Sequence, residues 1–381
     1  WQYAPLSVAE YALAARAVAA QGVAVAPMGQ WLEDLFLRHV YAMTPTGERT
    51  LVVGDTQSHV PHIHVNRLTL EAVLVGPAPP QAQRWARAEI ERIGDFESDD
   101  LKYVLYTALA EANPAPAEPF PRDRMGTAYF ASGTSILYAR SGWDKGAIWF
   151  AAFCSPTIDV DHLPPNAGNF VLSRGRDHAI VDPSPYGSLS SLTSNAPSVE
   201  APGQPDGYVP SQTFWSVDTG FRWKFGLPGG ALLARCDYAD QYRFREVASP
   251  IKLALRYTLL LPHREKSRAD SATLLVADRA RTRDPAHGLH LRFRTPVELD
   301  QIGNGGAAKL KDSQVSILRL AGSGGDTQVA RQEGGDCFND QKYTRGNCDA
   351  ARFDIGEVRL VVPGTEADAT FEIDVAPITS A

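Results

Sequence analysis

The feature that most limits this chain is a change of hydrophobic period across a proline-rich stretch. In Asn113-Pro114-Ala115-Pro116-Ala117-Glu118-Pro119-Phe120-Pro121, four prolines fall within nine residues. Proline fixes φ and removes a backbone donor, so the stretch predicts an extended connection and a domain boundary. Before it, apolar residues recur at helical spacing. Leu6, Val8, Tyr11, Leu13, Ala14, Ala17 and Val18 recur at helical spacing, with Gly22 as a stop. Further helices are predicted over 31–40, 67–74, 81–93 and 99–112, and short connections between them suggest an antiparallel array. After the prolines the period becomes two. Strands are predicted over 127–130, 135–140, 147–153, 251–261, 272–280, 289–294, 314–320, 358–362 and 370–375. No helices alternate with them, which argues against a parallel βαβ sheet and for a large antiparallel β-sandwich. The expected domains are 1–113 helical, 114–121 linker and 122–381 sandwich.

Composition narrows the function. Of the 381 residues, 44% are hydrophobic and 21% charged, ordinary for a globular chain with sizeable cores. No apolar run approaches the roughly 20 residues of a membrane span. A net charge of −7 argues against nucleic acid, which needs a basic face. It leaves room for an acidic sugar polymer in a local basic cleft. Cys337 and Cys348 lie in a Gly/Asp/Asn-rich loop with no further Cys or His close enough for zinc. A loop-closing disulfide is the expectation, and with it an exported protein, secreted or periplasmic. Cys154 and Cys236 sit in strand-like runs and are expected as buried thiols. The chain opens at Trp1-Gln2-Tyr3 as if within a domain, so it is expected to be the later part of a longer protein. A separate chain supplying earlier helices is an alternative.

The richest stretch runs from Asp159 to Gly187. His162 in an acidic turn leads to Asn166-Ala167-Gly168-Asn169. A strand with Phe170 and Leu172, an Arg174-Gly175-Arg176 turn and a second strand through Ala179, Ile180 and Val181 follow, ending at Asp182-Pro183. His162, Asn166, Asp182 and Tyr186 thus fall near the ends of a strand pair, where loops present polar groups. No nucleophile elbow, phosphate loop or dinucleotide fingerprint occurs.

This stretch resembles the middle motif of the heparinase II/III-like polysaccharide lyases: His-x-His-x-Asp-Ala-Gly-Ser-Phe, a strand, a turn and Asp-Pro-Gly-x-Tyr. Arg140-Ser141-Gly142-Trp143-Asp144, Val276-Ala277-Asp278-Arg279, Trp1-Gln2-Tyr3 and Gly54-Asp55-Thr56 resemble other family steps in the same order. The resemblance implies an α+β chain: the end of an α/α toroid followed by a large antiparallel β-sandwich. It also implies β-elimination on a uronic-acid-containing polysaccharide. Two family zinc ligands are replaced, by Pro164 and by Ser194 in Ser191-Leu192-Thr193-Ser194-Asn195, and the family's Asp by Asn166. Asp182 alone cannot hold zinc, so no metal is expected, and no cofactor. Whether calcium sits among Asp159, Asp161 and Asp177 stays open.

β-Elimination needs donors that neutralise the uronate carboxylate, a base for the C5 proton and an acid for the departing oxygen. The resemblance implies His162 as the first catalytic residue and Tyr3 as an acid/base. A phenol with pKa near 10 needs a positive neighbour for the basic role. His59, His62 and His64 are either solvated loop histidines or sugar contacts. Arg174 and Arg176 are either turn charges or partners for a uronate carboxylate. Asn166 is either a loop-orienting Asx turn or a substrate contact. The leading expectation is the carboxy-terminal portion of a polysaccharide lyase. The rival is a non-catalytic carbohydrate-binding or structural protein on the same scaffold, favoured by Pro164, Asn166 and Ser194.

Overall fold

The computed structural model describes residues 4–51, 53, 67–94, 101–157, 165–183, 191–200, 212–213, 215–263, 270–285, 287–332 and 355–378. They form two compact units, divided between Gly126 and Thr127.

Among the described residues the first unit has five α-helices: α1 (Ala4–Ala20), α2 (Ala26–Ala42), α3 (Arg67–Val75), α4 (Pro80–Ile93) and α5 (Leu101–Glu111). They match the helices expected from the 3.6-residue period. α3 is buried on every side and packs against the other four, as an element apolar all round must. Its charges are paired: Arg67 Nε lies 2.9 Å from Glu71 Oε1, which also accepts from Thr107 Oγ1 at 2.8 Å. Gly76 ends α3 where a Cβ would come within 2.5 Å of Leu32 Cδ1. The proline-rich stretch is extended, as proline dictates, but it packs along α4. Glu118 N donates to Arg84 O at 3.1 Å, and Arg87 Nη2 donates to Ala110 O and Asn113 O at 2.7 Å each. Phe120 is buried against Phe36 and Trp85, with ring centroids 5.5 and 5.2 Å away.

α2 and α4 bury a titratable group each. Glu89 receives Arg122 Nη2 at 2.5 Å and Arg92 Nε at 2.8 Å. Burial alone would raise its pKa, but the two guanidinium groups hold it below the ordinary value. His39 is wholly buried, and burial pushes its pKa down to about 4, with Arg92, Arg122 and Arg38 adding to the effect against Glu89.

The second unit is built of antiparallel strands. β1 (Ala128–Ala131), β2 (Ile136–Arg140), β3 (Ile148–Phe153), β4 (Phe170–Arg174) and β5 (Asp177–Ile180) form one sheet in chain order. β6 (Ser198–Val199) starts a small sheet. β7 (Gly220–Gly226), β8 (Leu232–Asp237), β9 (Leu253–His263) and β10 (Ser271–Arg281) start the largest. β11 (Gly288–Thr295) pairs with β6, and β12 (Asp300–Ile302), β13 (Gly305–Lys309) and β14 (Ser313–Gly322) extend the largest sheet. β15 (Gln328–Gln332), β16 (Ile355–Pro363) and β17 (Glu366–Pro377) complete the set. The small sheet runs β15-β16-β11-β6, and the largest β12-β13-β14-β17-β10-β9-β8-β7. Strict alternation in β10 and β17 turns Leu274, Val276, Phe371 and Ile373 into one core shared by all three sheets. Phe293 of β11 touches Phe371 of β17 at 4.8 Å and Phe170 of β4 at 5.9 Å, so one aromatic column joins the three. This is the antiparallel sandwich expected from the two-residue period. Strand β7 is an edge, with Trp223 44% and Phe225 53% exposed. Arg235 lies 4.3 Å over the Trp223 ring, and Lys224 lies 4.2 Å over Phe130.

One expectation is corrected. Cys154 and Cys236 are not separate thiols but a disulfide, with Cα atoms 5.7 Å apart. Both point into the same core from different sheets, one just past β3 and one on β8, a proximity that a sequence separation of 82 conceals. Cys337 and Cys348 lie outside the described residues.

Two outcomes follow from these contacts. Between pH 6.5 and 4 the unfolded chain binds a proton at residue 39 that the folded chain refuses. Stability is therefore full above 6.5 and falls as pH drops toward 4, by about 3 kcal/mol. A urea titration across this range measures the slope, and His39→Gln flattens its upper part. Reduction of Cys154–Cys236 lowers the unfolding midpoint of the strand unit, with about 4 kcal/mol at stake in the loop-entropy picture. A non-reducing peptide map joins the two cysteine peptides.

Candidate functional site

The motif from 159 to 187 is described over 165–183, and there it forms a buried polar frame. Two inward positions on neighbouring strands carry charge. Arg256 of β9 stands directly opposite Asp278 of β10, and the pair is bidentate: Nε to Oδ1 at 2.8 Å and Nη2 to Oδ2 at 2.7 Å. Side-chain exposure is 1% and 0%. Burial pushes the Asp278 carboxyl above its ordinary pKa against the pull of Arg256. The remaining Arg256 nitrogen, Nη1, donates to Gly168 O at 2.8 Å and Asn195 O at 2.7 Å. That places a guanidinium under both halves of the motif. Gly168 has φ +84°, and a Cβ there would meet Pro197 Cδ at 2.7 Å, so only glycine permits the close approach.

Asn195 ties the halves together. Its Nδ2 donates to Phe170 O at 3.1 Å and Val181 O at 2.7 Å, and its Oδ1 accepts Arg294 N at 2.9 Å. Asn169 Oδ1 accepts Asn195 N at 3.0 Å, while Asn169 Nδ2 donates to Asp182 Oδ2 at 2.8 Å. Gln212 clasps Ala167 on both sides, through Oε1 to its N–H at 3.0 Å and Nε2 to its carbonyl at 2.8 Å. Gln241 Nε2 donates to Ser155 O at 3.0 Å and Thr157 Oγ1 at 3.4 Å. Thr157, Pro165, Pro183 and Ser191 are all buried. The chain thus leaves and re-enters the frame at fixed points on either side of 158–164 and of 184–190.

His162 and Tyr186 fall in those two intervals and lie outside the described residues, as do Tyr3, His59, His62 and His64. The described candidates are engaged within the strand unit. Arg174 is buried; its Nε donates to Asp270 O at 2.7 Å and its Nη1 to Ser313 Oγ at 3.2 Å. Arg176 makes a two-point pair with Asp312, at 2.6 and 3.1 Å, which lowers the Asp312 pKa. Asn166 uses its carbonyl to accept Asn169 N at 2.9 Å. Asp177 Oδ2 accepts Asp312 N at 2.7 Å.

Asp182 has an amide N–H of Asn169 on its carboxylate, and Ser194 Oγ donates to Ser191 O and accepts Ala196 N, both at 3.1 Å. Among the described residues no three His, Cys, Asp or Glu side chains converge.

Sequence reasoning missed Arg256, Gln212 and Gln241. Arg256 had a signal, since an arginine and an aspartate at inward positions of adjacent apolar strands must find each other. The Arg140–Asp144 motif also proves to be a lock. Arg140 lies 4.1 Å over Trp143, and Ser141 Oγ accepts Ile148 N at 2.9 Å and donates to Asp270. Asn195→Ala strands two buried carbonyls and one N–H, so denaturant titration should find about 3 kcal/mol lost. Ser194→Ala, which strands only local turn groups, should lose about 1 kcal/mol.

No protein-family model matches the sequence, and no curated protein matches it. Solved structures do match its fold. A crystal structure of heparinase III aligns at a TM-score of 0.57 and 9% identity, covering 93% of this chain and 49% of that one. A heparinase III gene product aligns at 0.55 and 10% identity, covering 90% and 45%. The heparan sulfate lyase HepC of Pedobacter heparinus aligns at 0.50 and 13% identity, covering 90% and 46%. The chain spans less than half the length of these structures. Its helical array followed by a large antiparallel sandwich is the heparinase-type lyase fold.

Proposed function

We propose that this chain is part of a polysaccharide lyase that cleaves a uronic-acid-containing glycan by β-elimination. The observation that carries the reading is the fold likeness along 90% or more of the chain, with residues 165–183 of the motif built into a hydrogen-bonded frame. In the reaction a base removes the proton at C5 of the uronate and the electron pair forms the C4–C5 double bond. The C4–O bond breaks, and the departing oxygen takes a proton. His162 neutralises the carboxylate or handles a proton, and Tyr3 serves as acid or base. His59, His62, His64 and Asn166 contact sugar. Arg174 and Arg176, held by Asp270, Ser313 and Asp312, act as structure before ligand. The reading includes no resident metal. The Cys154–Cys236 disulfide supports a secreted or periplasmic location.

The second reading is a carbohydrate-binding protein that has kept the scaffold without its chemistry. Pro164, Asn166 and Ser194 favour it, since each stands where the resembling motif carries a reactive or ligating group, and Ser194 is turned back onto Ser191.

One experiment separates them. The full-length protein is incubated with heparan sulfate, heparin, hyaluronan and alginate, and the short-wavelength ultraviolet absorbance of an unsaturated uronate is followed. A lyase raises the absorbance on at least one polymer, His162→Ala cuts the rate about 100-fold or more at unchanged melting temperature, and a chelator leaves it unchanged. Binding without any absorbance on all four polymers establishes the second reading.

A further inference from the structure

A cavity of about 640 Å³ is lined by Trp215, Val217, Arg243 and the turn Phe244–Val247. Its size lies within the roughly 300–1,000 Å³ of small-molecule sites. Its walls are fixed. One carboxylate oxygen of Asp240 accepts the N–H groups of Val217 and Asp218 at 2.7 and 2.8 Å, and the other accepts Arg243 Nε at 2.9 Å. Thr213 N donates to Gln241 O at 2.6 Å just behind them.

The turn at the mouth is unusual. Val247 N donates to Phe244 O at 3.0 Å, closing a two-residue turn. Arg245 takes its first central position at φ +53°. Glycine ordinarily holds that position, because a Cβ is strained there. The arginine is exposed, and its guanidinium carbon sits 5.4 Å from the Phe244 ring centroid and 5.9 Å from that of Trp215. Among the described residues it has no carboxylate partner. A cation is therefore held over aromatic faces at the mouth of a cavity, at a backbone cost that glycine would avoid. A guanidinium forks onto a carboxylate or sulfate, and an aromatic face packs the apolar side of a ring.

The geometry points to a subsite here for an acidic sugar ring, its carboxylate or sulfate on Arg245 and its ring against Trp215. The inference rests on the acidic glycan proposed above and adds where one of its rings sits. Glu246 lines the same cavity and opposes an anion, which gives the site a sign that can be tested.

Calorimetric titration of the full chain with a heparin tetrasaccharide, an unsulfated uronate tetrasaccharide and neutral maltotetraose tests it. At least one acidic probe binds, more weakly as salt rises, and maltotetraose does not. Binding of both acidic probes assigns the carboxylate; binding of the heparin fragment alone assigns sulfate. Arg245→Gly suits the backbone, so the melting temperature holds or rises while acidic-probe affinity falls about ten-fold. Trp215→Ala weakens binding, and Glu246→Gln strengthens it. The subsite is refuted if Arg245→Gly binds as the parent does, if it melts several degrees lower, or if maltotetraose binds equally. No measurement here needs turnover. Arg245-dependent binding without unsaturated product sinks the lyase reading alone, and turnover with unchanged Arg245→Gly binding sinks the subsite alone.

Discussion

The ion pair between Arg256 and Asp278 is the constraint around which the strand unit is arranged. Both groups sit in the apolar interior, and each satisfies the other at two points. A buried pair of this kind adds little net stability, but removing one partner leaves a stranded charge, costing about 3–5 kcal/mol. The pair also fixes position. Arg256 belongs to the largest sheet, yet its last nitrogen reaches the carbonyls of Gly168 and Asn195, beside the first and smallest sheets. Phe170 and Phe293 pack against its guanidinium at 5.6 and 5.5 Å. Three sheets thus take their mutual position from one side chain.

From that centre the polar residues of the motif read as a frame. Asn169, Asn195, Gln212 and Gln241 use their amides on backbone groups that no ladder could satisfy. Each bond fixes a point where the chain leaves the sheets. Chemistry at such a site depends on holding a few groups within a fraction of an ångström, and rigid strand ends do this better than free loops. The frame itself holds no unengaged acid or base among its described residues. In the proposed reading, reactivity belongs to residues between its anchor points, and sugar affinity to the aromatic-cationic turn at Arg245.

How much was legible follows the range of the forces. The helices announced themselves through local period, as did the long strands β9, β10, β14, β16 and β17. Short strands such as β6 and β12 have little alternation to read, whereas β7 does alternate and was passed over. The Cys154–Cys236 link joins residues far apart in sequence, and no local pattern carries that information. The same holds for Arg174: its turn, Arg-Gly-Arg, looks like solvated charge until Asp270 and Ser313 are brought beneath it. Asp278 was legible as part of a motif, and Arg256 carried a signal in its inward place on the neighbouring strand that went unread. Proline correctly marked an extended stretch at 114–121, while the packing of Phe120 on Trp85 depends on tertiary proximity.

The largest sheet is open, with β12 at one margin and β7 at the other. Unpaired margins invite another molecule to add its own strand. On β7, Arg222 and Lys224 alternate with Phe221, Trp223 and Phe225, and Arg235 roofs the indole. Stacking two copies along this margin would crowd like charges together and uncover the roofed ring. Like charge on this ribbon therefore works against edge-to-edge pairing of two copies.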